Sequence, residues 1–308
     1  MDHAEHTRGF VTIATGRDHY YILARNLLRS CRKQARKYIR FAILCDRENE
    51  YTEEFDDVVI MDGASCSYMD KLQLGRYSPY EESIFIDADS LFLGDPAVLW
   101  EDFAPMGDFS GYGAPIPLDV PGGWFYYEHT GKFQDQLTFN VQMHGGLYYF
   151  RRTETGSEVF SRAIYLAQHY SEYKFAHFTE PADEPVLALS MAVSGCEPCQ
   201  AKNRICFVPA LPKTPKVSVS GGLTLEGQPF NPVILHFVTA NTRRFLYTYL
   251  THLLNGGKAS SGSYWRIRLR CLPQDIKVSA TRVIRQFIKD HVSPETFKKI
   301  RMLAKKLK

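Results

Sequence analysis

The sequence predicts an α/β fold with a mostly parallel, Rossmann-like central sheet flanked by helices. Three observations predict it. Short apolar, β-branched runs alternate with stretches of helical period through the first hundred residues. The most hydrophobic run, residues 83–86 (SIFI), leads directly into two aspartates. At 308 residues, with 44% hydrophobic and 23% charged, the chain is long enough to bury the core of one large or two small domains. The same composition excludes a collagen-like, disordered or disulfide-stapled chain.

The elements follow in chain order. Residues 9–14 (GFVTIA) form a short strand that ends in Thr15, Gly16, Arg17 and Asp18. From Tyr20 the period changes. Leu23, Leu27, Leu28 and Cys31 share one helical face, and Arg25, Arg29 and Arg32 lie mostly away from it. Residues 38–45 (YIRFAILC) read as a second strand, 57–61 as a third and 83–86 as a fourth. Ligands of such sheets sit beyond the carboxyl ends of the strands, so the residues just after each strand matter most. Past Asp108 the texture changes. Residues 111–140 are rich in Gly, Pro and aromatic residues, including Gly122, Gly123, Trp124, Phe125, Tyr126 and Tyr127. They read as a long loop or hairpin excursion, a lid or substrate wall. Residues 143–150 read as a strand broken by Gly145 and Gly146, and 157–170 and 183–193 as helices. Residues 210–232 read as loop or weak hairpin, and 233–237 (VILHF) as a last short strand. There is no internal repeat and no low-complexity tract.

The net charge of +3 conceals an asymmetry. Residues 258–308 hold 14 Lys/Arg against 3 Asp/Glu, a local net of +11, which leaves −8 for the 257 residues before them. The chain start (MDHAEHT) has no basic n-region and no apolar h-region, so no secretory signal is expected. No apolar run approaches the ~18 residues of a membrane span, and a cytoplasmic protein is expected. Seven cysteines, at 31, 45, 66, 196, 199, 206 and 271, read as reduced thiols. The tightest group, Cys196, Cys199 and Cys206, lacks a second CxxC or an HxxxH. It reads as buried or surface thiols in preference to a zinc site.

The sharpest local feature is the run Ile84, Phe85, Ile86, Asp87, Ala88, Asp89, Ser90, Leu91, Phe92. In extended backbone the i, i+2 spacing points Asp87 and Asp89 the same way while Ala88 turns aside. Two convergent carboxylates repel unless a cation or proton relieves them, and such hard oxygens suit Mg²⁺ or Mn²⁺ carrying phosphate. The alternative is a pair of acids that merely solvates a turn. His236 ends the last predicted strand. It is either a satisfied core histidine or the third member of an O,O,N site, which favours Mn²⁺. Arg243 and Arg244 open a helical pattern. They either neutralise a diphosphate or are solvated surface charges.

Together these residues resemble the nucleotide-sugar glycosyltransferases of the GT-A fold. Among those the match is to the retaining family 8 enzymes, which include glycogenin-like enzymes and lipopolysaccharide galactosyl- and glucosyltransferases. The matching stretches are Val11 to Thr15 with Tyr20 and Tyr21, Lys71, and residues 80–96 (YEESIFIDADSLFLGDP). After them come Gly145, Gly146 and Leu147, then Asp183, Glu184 and Pro185, then Leu235, His236 and Phe237. They stand in the family's order over residues 9–245.

The resemblance implies a role for each. Ala14 and Thr15 hold the nucleobase and ribose, with Tyr20 or Tyr21 near the base. Lys71 contacts the donor sugar or diphosphate. Asp87, Asp89 and His236 hold Mn²⁺ (or Mg²⁺) on the phosphates, with Ala88 between them in the donor site. Gly145 and Gly146 let backbone approach the sugar, and Asp183 and Glu184 bind its hydroxyls and act as the catalytic carboxylates. Two departures stand out. His144 and Gly145 replace the family's Asn and small residue, and the Lys-Pro-Trp-like sequence after the His-Phe pair is absent, with Arg243 or Arg244 in the lysine's place. Each match also has a plainer alternative: Lys71 as surface, the glycines as a strand kink, Asp183 as a helix cap.

The implied activity is metal-dependent transfer of a hexose from a nucleotide sugar, UDP-linked by resemblance, to a hydroxyl of a glycan or lipid-linked acceptor, with retention. Two other classes compete. Haloacid-dehalogenase-like phosphatases also place Asp-x-Asp after an apolar strand, but they normally begin with that strand, and here about eighty residues precede it. A non-catalytic nucleotide-sugar-binding protein is the other, against which the intact Asp87, Asp89 and His236 stand.

The expected division is a catalytic domain at 1–255 and a basic amphipathic helical extension at 256–308. In the extension Val283, Ile284, Phe287 and Ile288 form a stripe flanked by Arg282, Arg285 and Lys289. After Ser293 and Pro294, residues Phe297, Ile300, Leu303 and Leu307 repeat the pattern amid lysines. Basic amphipathic helices suit an anionic membrane surface, here the inner face, although a helix packed on the body is the alternative. No nucleic-acid motif accompanies the charge, so no nucleic acid is expected.

Overall fold

The computed structural model describes residues 8–178, 180–202, 204–238 and 240–291. In chain order the elements are β1 (Arg8–Ala14), α1 (Asp18–Gln34), β2 (Phe41–Cys45), β3 (Asp57–Ile60), α2 (Leu74–Tyr77), β4 (Glu82–Ile86) and β5 (Ser90–Phe92). They continue with α3 (Ala97–Phe103), β6 (Phe109–Ile116), β7 (Asn140–Arg151), α4 (Glu154–Gln168), α5 (Asp183–Val193) and β8 (Ile205–Phe207). The last are β9 (Lys216–Val217), β10 (Leu223–Leu225), β11 (Gln228–Pro229), β12 (Ile234–His236), α6 (Phe245–Leu254) and α7 (Ser261–His291).

Two compact units share these elements. One comprises Met1–Val208 with Asn231–His236, the other Pro209–Phe230 with Phe237–Lys308. α6 and α7 both fall in the second unit, where they pack on each other.

The first unit is built on a six-stranded sheet in the order β3-β2-β1-β4-β7-β6. β1 runs parallel to β2 and β4, β2 parallel to β3, and β7 antiparallel to β4 and β6. All five residues of β2 are buried, as an unbroken apolar run covered on both faces requires. The Thr12 hydroxyl donates to the Ile86 carbonyl at 2.8 Å and ties the two central strands together. In α1, Leu23, Leu27, Leu28 and Cys31 are buried, as their spacing predicts. Ser30 adds a polar tie, its hydroxyl oxygen accepting from the Phe92 amide at 2.9 Å. Strand order reverses between β1 and β4, which makes their carboxyl ends the switch point where ligands bind in such sheets.

Three segments gain definition. The segment 111–140 takes the hairpin form of the expected excursion: β6 runs to Ile116 and pairs antiparallel with β7, Ile116 opposite Asn140, as the last strand of the sheet. An edge position tolerates Pro115, which cannot donate to a ladder. The rest of that segment holds two short 3₁₀ turns, and Phe125 and Phe133 join the core. Trp124 donates from its backbone to Val141 at 2.9 Å and from its indole to Met143 at 2.8 Å, which pins the segment to β7. Second, Gly145 and Gly146 lie where β7 is irregular: the strand pairs Leu147 with Ile86, but its register on β6 shifts between Gly111 opposite Tyr148 and Gly113 opposite Met143. Third, residues 210–232 take the hairpin alternative, three short strands, β9 to β11, in one antiparallel sheet.

In the second unit Phe245 stacks on Tyr249 and meets Tyr264 edge-on, and Arg244 pairs with Asp275 at 2.9 Å. α7 continues for 31 residues through Pro273, which leaves the Leu269 carbonyl without its helical donor. Among the described residues no helix is long and apolar enough to cross a membrane. Val283 and Ile284 are exposed. The side chains of Phe287 and Ile288, and the second stripe from Phe297 to Leu307, lie outside the described residues.

Candidate functional site

The site begins with the turn that closes β4. Asp87 donates its amide to the Gly146 carbonyl at 2.9 Å, and Ser90 donates back to the Asp87 carbonyl at 3.1 Å as β5 starts. β12 runs antiparallel to β5 with His236 opposite Ser90, so the register delivers the imidazole beside Asp89. His236 Nε2 lies 3.0 Å from Asp89 Oδ1 and 3.6 Å from Asp87 Oδ2. One ligand atom from each of the three falls within 4.8 Å of the others. His236 is buried, yet it faces two carboxylates and not an apolar core. Two carboxylate oxygens and one imidazole nitrogen fit a hard-to-borderline divalent ion.

Lys71 stands on a 3₁₀ turn, Tyr68–Gln73, whose N-cap Ser67 accepts from the Met69 amide at 3.2 Å. Its ammonium lies 2.9 Å from Asp87 Oδ1, 3.0 Å from Asp87 Oδ2 and 2.9 Å from Asp183 Oδ2. It also donates to the Gly145 carbonyl at 3.4 Å. Lys71 is therefore a bridge inside the site and not ordinary surface. Burial works against its charge, but Asp183 and Asp87 outweigh that and hold its pKa well above the usual lysine value.

The carboxylates divide. Burial pushes Asp87 up, with Lys71 and His236 pulling back only part of the way. Burial opposes the charge of Asp89 too, but the hydrogen bond from His236 prevails and holds it low. For His236, burial is outweighed by Asp89 and then Asp87, which raise it. With Glu184 included, four carboxylates gather around one lysine and one histidine. A divalent cation would relieve that imbalance.

Asp183 and Glu184 open α5, whose N-cap is Ala182 with no side-chain capping bond. Asp183 is thus not the cap. It turns to Lys71, while Glu184 Oε1 accepts from the Gly145 amide at 2.9 Å. Both acids profit from the helix N-terminus. Burial, then the neighbouring Asp183, raise Glu184. The two glycines are needed for close approach. A Cβ on Gly145 would lie 2.0 Å from Glu184 Cγ, and one on Gly146 would lie 2.7 Å from His236 Cε1 and 3.0 Å from Asp87 Oδ2.

The other expected residues are placed as follows. Ala14 and Ala88 are buried, at the ends of β1 and β4. The Thr15 hydroxyl donates to Asp70 Oδ2 at 3.0 Å, and Asp70 also accepts from the Ser65 amide at 2.7 Å. Tyr21 is fully buried with its hydroxyl on Asp46, whereas Tyr20 is exposed. Arg243 is exposed and belongs to the second unit. Arg244 is committed to Asp275. The structure therefore gathers Lys71, Asp87, Asp89, Gly145, Gly146, Asp183, Glu184 and His236 into one cluster.

Sequence reasoning assigned no role to four neighbours. Asp46 directly follows β2 and accepts from the Gly16 amide at 2.9 Å, beside the β1 terminus. Asp70 supports Thr15. His144 Nδ1 accepts from the Gly146 amide at 3.0 Å, and its Nε2 lies 3.2 Å from His236 Nδ1. Burial, then the His236 and Lys71 charges, lower His144 to about 3. Tyr148 is buried below, its hydroxyl without a hydrogen-bond partner among the described residues, and Lys71, Asp183 and Asp87 all act on it electrostatically. His144, Gly146 and Tyr148 alternate along β7. Period two read outward from Gly146 would have found both.

The cysteines are free thiols, with Cys196 and Cys199 bonded to the Ser194 and Asp102 carbonyls. Among the described residues the group with metal-ligand spacing is Asp87, Asp89 and His236.

No protein-family model matches the sequence, and no curated protein matches it. Solved structures do match. WbbM, a bifunctional glycosyltransferase in its apo form, aligns with a TM-score of 0.54 at 13% identity over 86% of this chain and 52% of its own. This chain therefore spans about half of WbbM. The galactosyltransferase LgtC, solved with donor and acceptor sugar analogues, aligns with a TM-score of 0.50 at 13% identity over 84% of this chain and 99% of its own. At such identity the likeness is one of fold. The chain has the GT-A glycosyltransferase fold.

Proposed function

We propose that this protein is a metal-dependent glycosyltransferase that moves a hexose from a nucleotide sugar, UDP-linked, to a hydroxyl of a glycan or lipid-linked acceptor with retention. The observation that carries the reading is the Asp87, Asp89 and His236 cluster at the sheet's switch point, bridged through Lys71 to Asp183. Asp87, Asp89 and His236 would hold Mn²⁺ or Mg²⁺, which when bound supplies Lewis-acid neutralisation of the diphosphate. Lys71 adds a fixed positive charge where the leaving oxygen gains negative charge. Asp183 and Glu184 face the sugar and stabilise the oxocarbenium-like anomeric carbon. The β1 terminus, with Ala14, Thr15 and Tyr20, receives the nucleoside. Attack comes from the face the leaving phosphate vacates, with that phosphate taking the acceptor proton, so no protein general base is assigned. Residues 1–255 carry the catalysis. The basic extension, 256–308, holds the enzyme at an anionic membrane surface on the cytoplasmic side, near a lipid-linked acceptor.

The test is a panel of nucleotide sugars with Mn²⁺, following release of nucleoside diphosphate. Asp87→Asn and Asp89→Asn should each abolish release while leaving the circular dichroism and melting of the protein intact. Full activity in either variant would remove the metal assignment. Hydrolysis of a generic phosphate ester without sugar transfer would favour a phosphatase.

A further inference from the structure

Asp70 is a buried carboxylate held by neutral donors. It is 3% exposed and stands one residue before Lys71 on the 3₁₀ turn Tyr68–Gln73. Its Oδ1 accepts from the Ser65 amide at 2.7 Å and from the Ser65 hydroxyl at 2.6 Å. Its Oδ2 accepts from the Thr15 hydroxyl at 3.0 Å. The loop that carries Ser65 lies against the end of β1. Cys66, in left-handed backbone at φ 54°, comes so near Gly16 that a Cβ on the glycine would sit 3.3 Å from its own. Asp70 therefore fastens that loop, the turn of Lys71 and the residue after β1 to one another, at the edge of the sheet where ligands bind.

The choice of a carboxylate here is informative. A backbone N–H can only donate, so an asparagine at this place would turn its amide oxygen to Ser65. It would satisfy that side equally well and spare the cost of burying a charge. It could not serve Thr15 in the same way, because its amide nitrogen donates. The second carboxylate oxygen draws the Thr15 proton inward and leaves only lone pairs on the Thr15 oxygen for a ligand. We propose that Asp70 is a positioning residue for donor recognition: it fixes Thr15 as a hydrogen-bond acceptor, and Thr15 thereby reads an N–H of the donor's nucleobase. A ribose hydroxyl can turn round to suit a donor or an acceptor, so a fixed acceptor gains nothing against it. A ring N–H such as that of uracil cannot turn round, and a threonine of the wrong polarity would repel it. The inference rests on the nucleotide-sugar reading and deepens it at the nucleoside end.

The test is calorimetric titration of the full chain with UDP and Mn²⁺, in a double-mutant cycle of Asp70→Asn and Thr15→Val. Asp70→Asn fills the same volume and keeps both bonds from Ser65, so it should fold and melt cooperatively. It should weaken UDP binding roughly tenfold or more, because the Thr15 proton now faces the base N–H. Added to Thr15→Val, it should cost nothing further. Thr15→Ser, which keeps the hydroxyl, should stay within about threefold of wild type. UDP methylated at ring N3 should bind wild type roughly tenfold less well than UDP, and Thr15→Val should lose most of that preference. 2′-Deoxy-UDP should show the same loss in wild type and in Asp70→Asn. Wild-type affinity in Asp70→Asn would overturn the proposal. So would a loss that persists undiminished in the Thr15→Val background, which would leave Asp70 as a fastener of the loop alone. If removing the 2′-hydroxyl, and not methylating N3, abolished the coupling of Asp70 to Thr15, the base assignment would fall. Absence of UDP binding by wild type would instead remove the nucleotide-sugar reading on which the proposal stands.

Discussion

His144 stands behind His236, its Nε2 3.2 Å from His236 Nδ1 and its Nδ1 accepting from the Gly146 amide at 3.0 Å. His144 thereby sets the orientation of a metal-site histidine from behind. Partners of that kind matter to affinity nearly as much as the ligands they hold. His144→Ala should weaken Mn²⁺ binding by about 10–100-fold, read from the free-Mn²⁺ paramagnetic resonance signal, and His144→Gln, which keeps a donor and an acceptor, should lose less. Equal affinity in the alanine variant would show that the ring merely fills space. Lys71 supports the opposite side. Its loss in Lys71→Met strands Asp87 and Asp183 together, and removing one partner from a buried ionic cluster costs about 3–5 kcal/mol. The sign with pH follows from Asp87. Its pKa is already raised in the folded state, and removing the ammonium, which lowers it, raises it further. A carboxyl raised on folding gains stability as pH falls through its folded value. The Lys71→Met deficit in urea unfolding should therefore shrink from neutral toward mildly acidic pH, and a deficit independent of pH would refute the charge account.

Strand register does what no single residue can. The antiparallel pairing of β5 with β12 is the reason His236 stands beside Asp89, although the two are far apart in sequence. The Asp-x-Asp end of β4 was legible because an apolar run, a change of period and two acids coincide there. The helix from Asp183 to Val193 was legible too, from its apolar content and its acidic first turn. β6 was legible only as the hairpin alternative to a loop, since an edge strand admits the Gly and Pro that otherwise mark one. The irregularity of β7 was legible from its two glycines, but its cause was not. Its two glycines answer to Glu184 and His236 from other elements, and a local reading sees only a weak strand. That account is testable. Gly145→Ala should destabilise by about 1–3 kcal/mol, the usual cost of overpacking, because its Cβ meets Glu184. In the pair Gly145→Ala with Glu184→Ala most of that loss should vanish, although transfer should not return. Additive losses in the double-mutant cycle would mean that the glycine serves backbone conformation instead.

For the molecule as a whole, the chain leaves its first unit after Val208 and returns only for Asn231–His236. That return carries the third metal donor, so all three donors belong to one unit although they bracket a second one in sequence. Division of labour by unit has a thermodynamic consequence. A ligand that binds only the folded state stabilises what it binds, by about 2.7 kcal/mol at a hundredfold excess over its dissociation constant. Mn²⁺ should act on the first unit alone, both by joining Asp87, Asp89 and His236 and by relieving repulsion among four carboxylates. Calorimetry with Mn²⁺ against chelator should therefore raise one transition and leave any transition of the second unit where it was. Adding a nucleoside diphosphate should raise the same transition further, and only with the cation present. Asp87→Asn should remove the Mn²⁺ response without abolishing either transition. A melting profile indifferent to Mn²⁺ in the wild-type protein would mean that the acids around Lys71 are balanced without a metal, and the transferase reading would lose the observation that carries it.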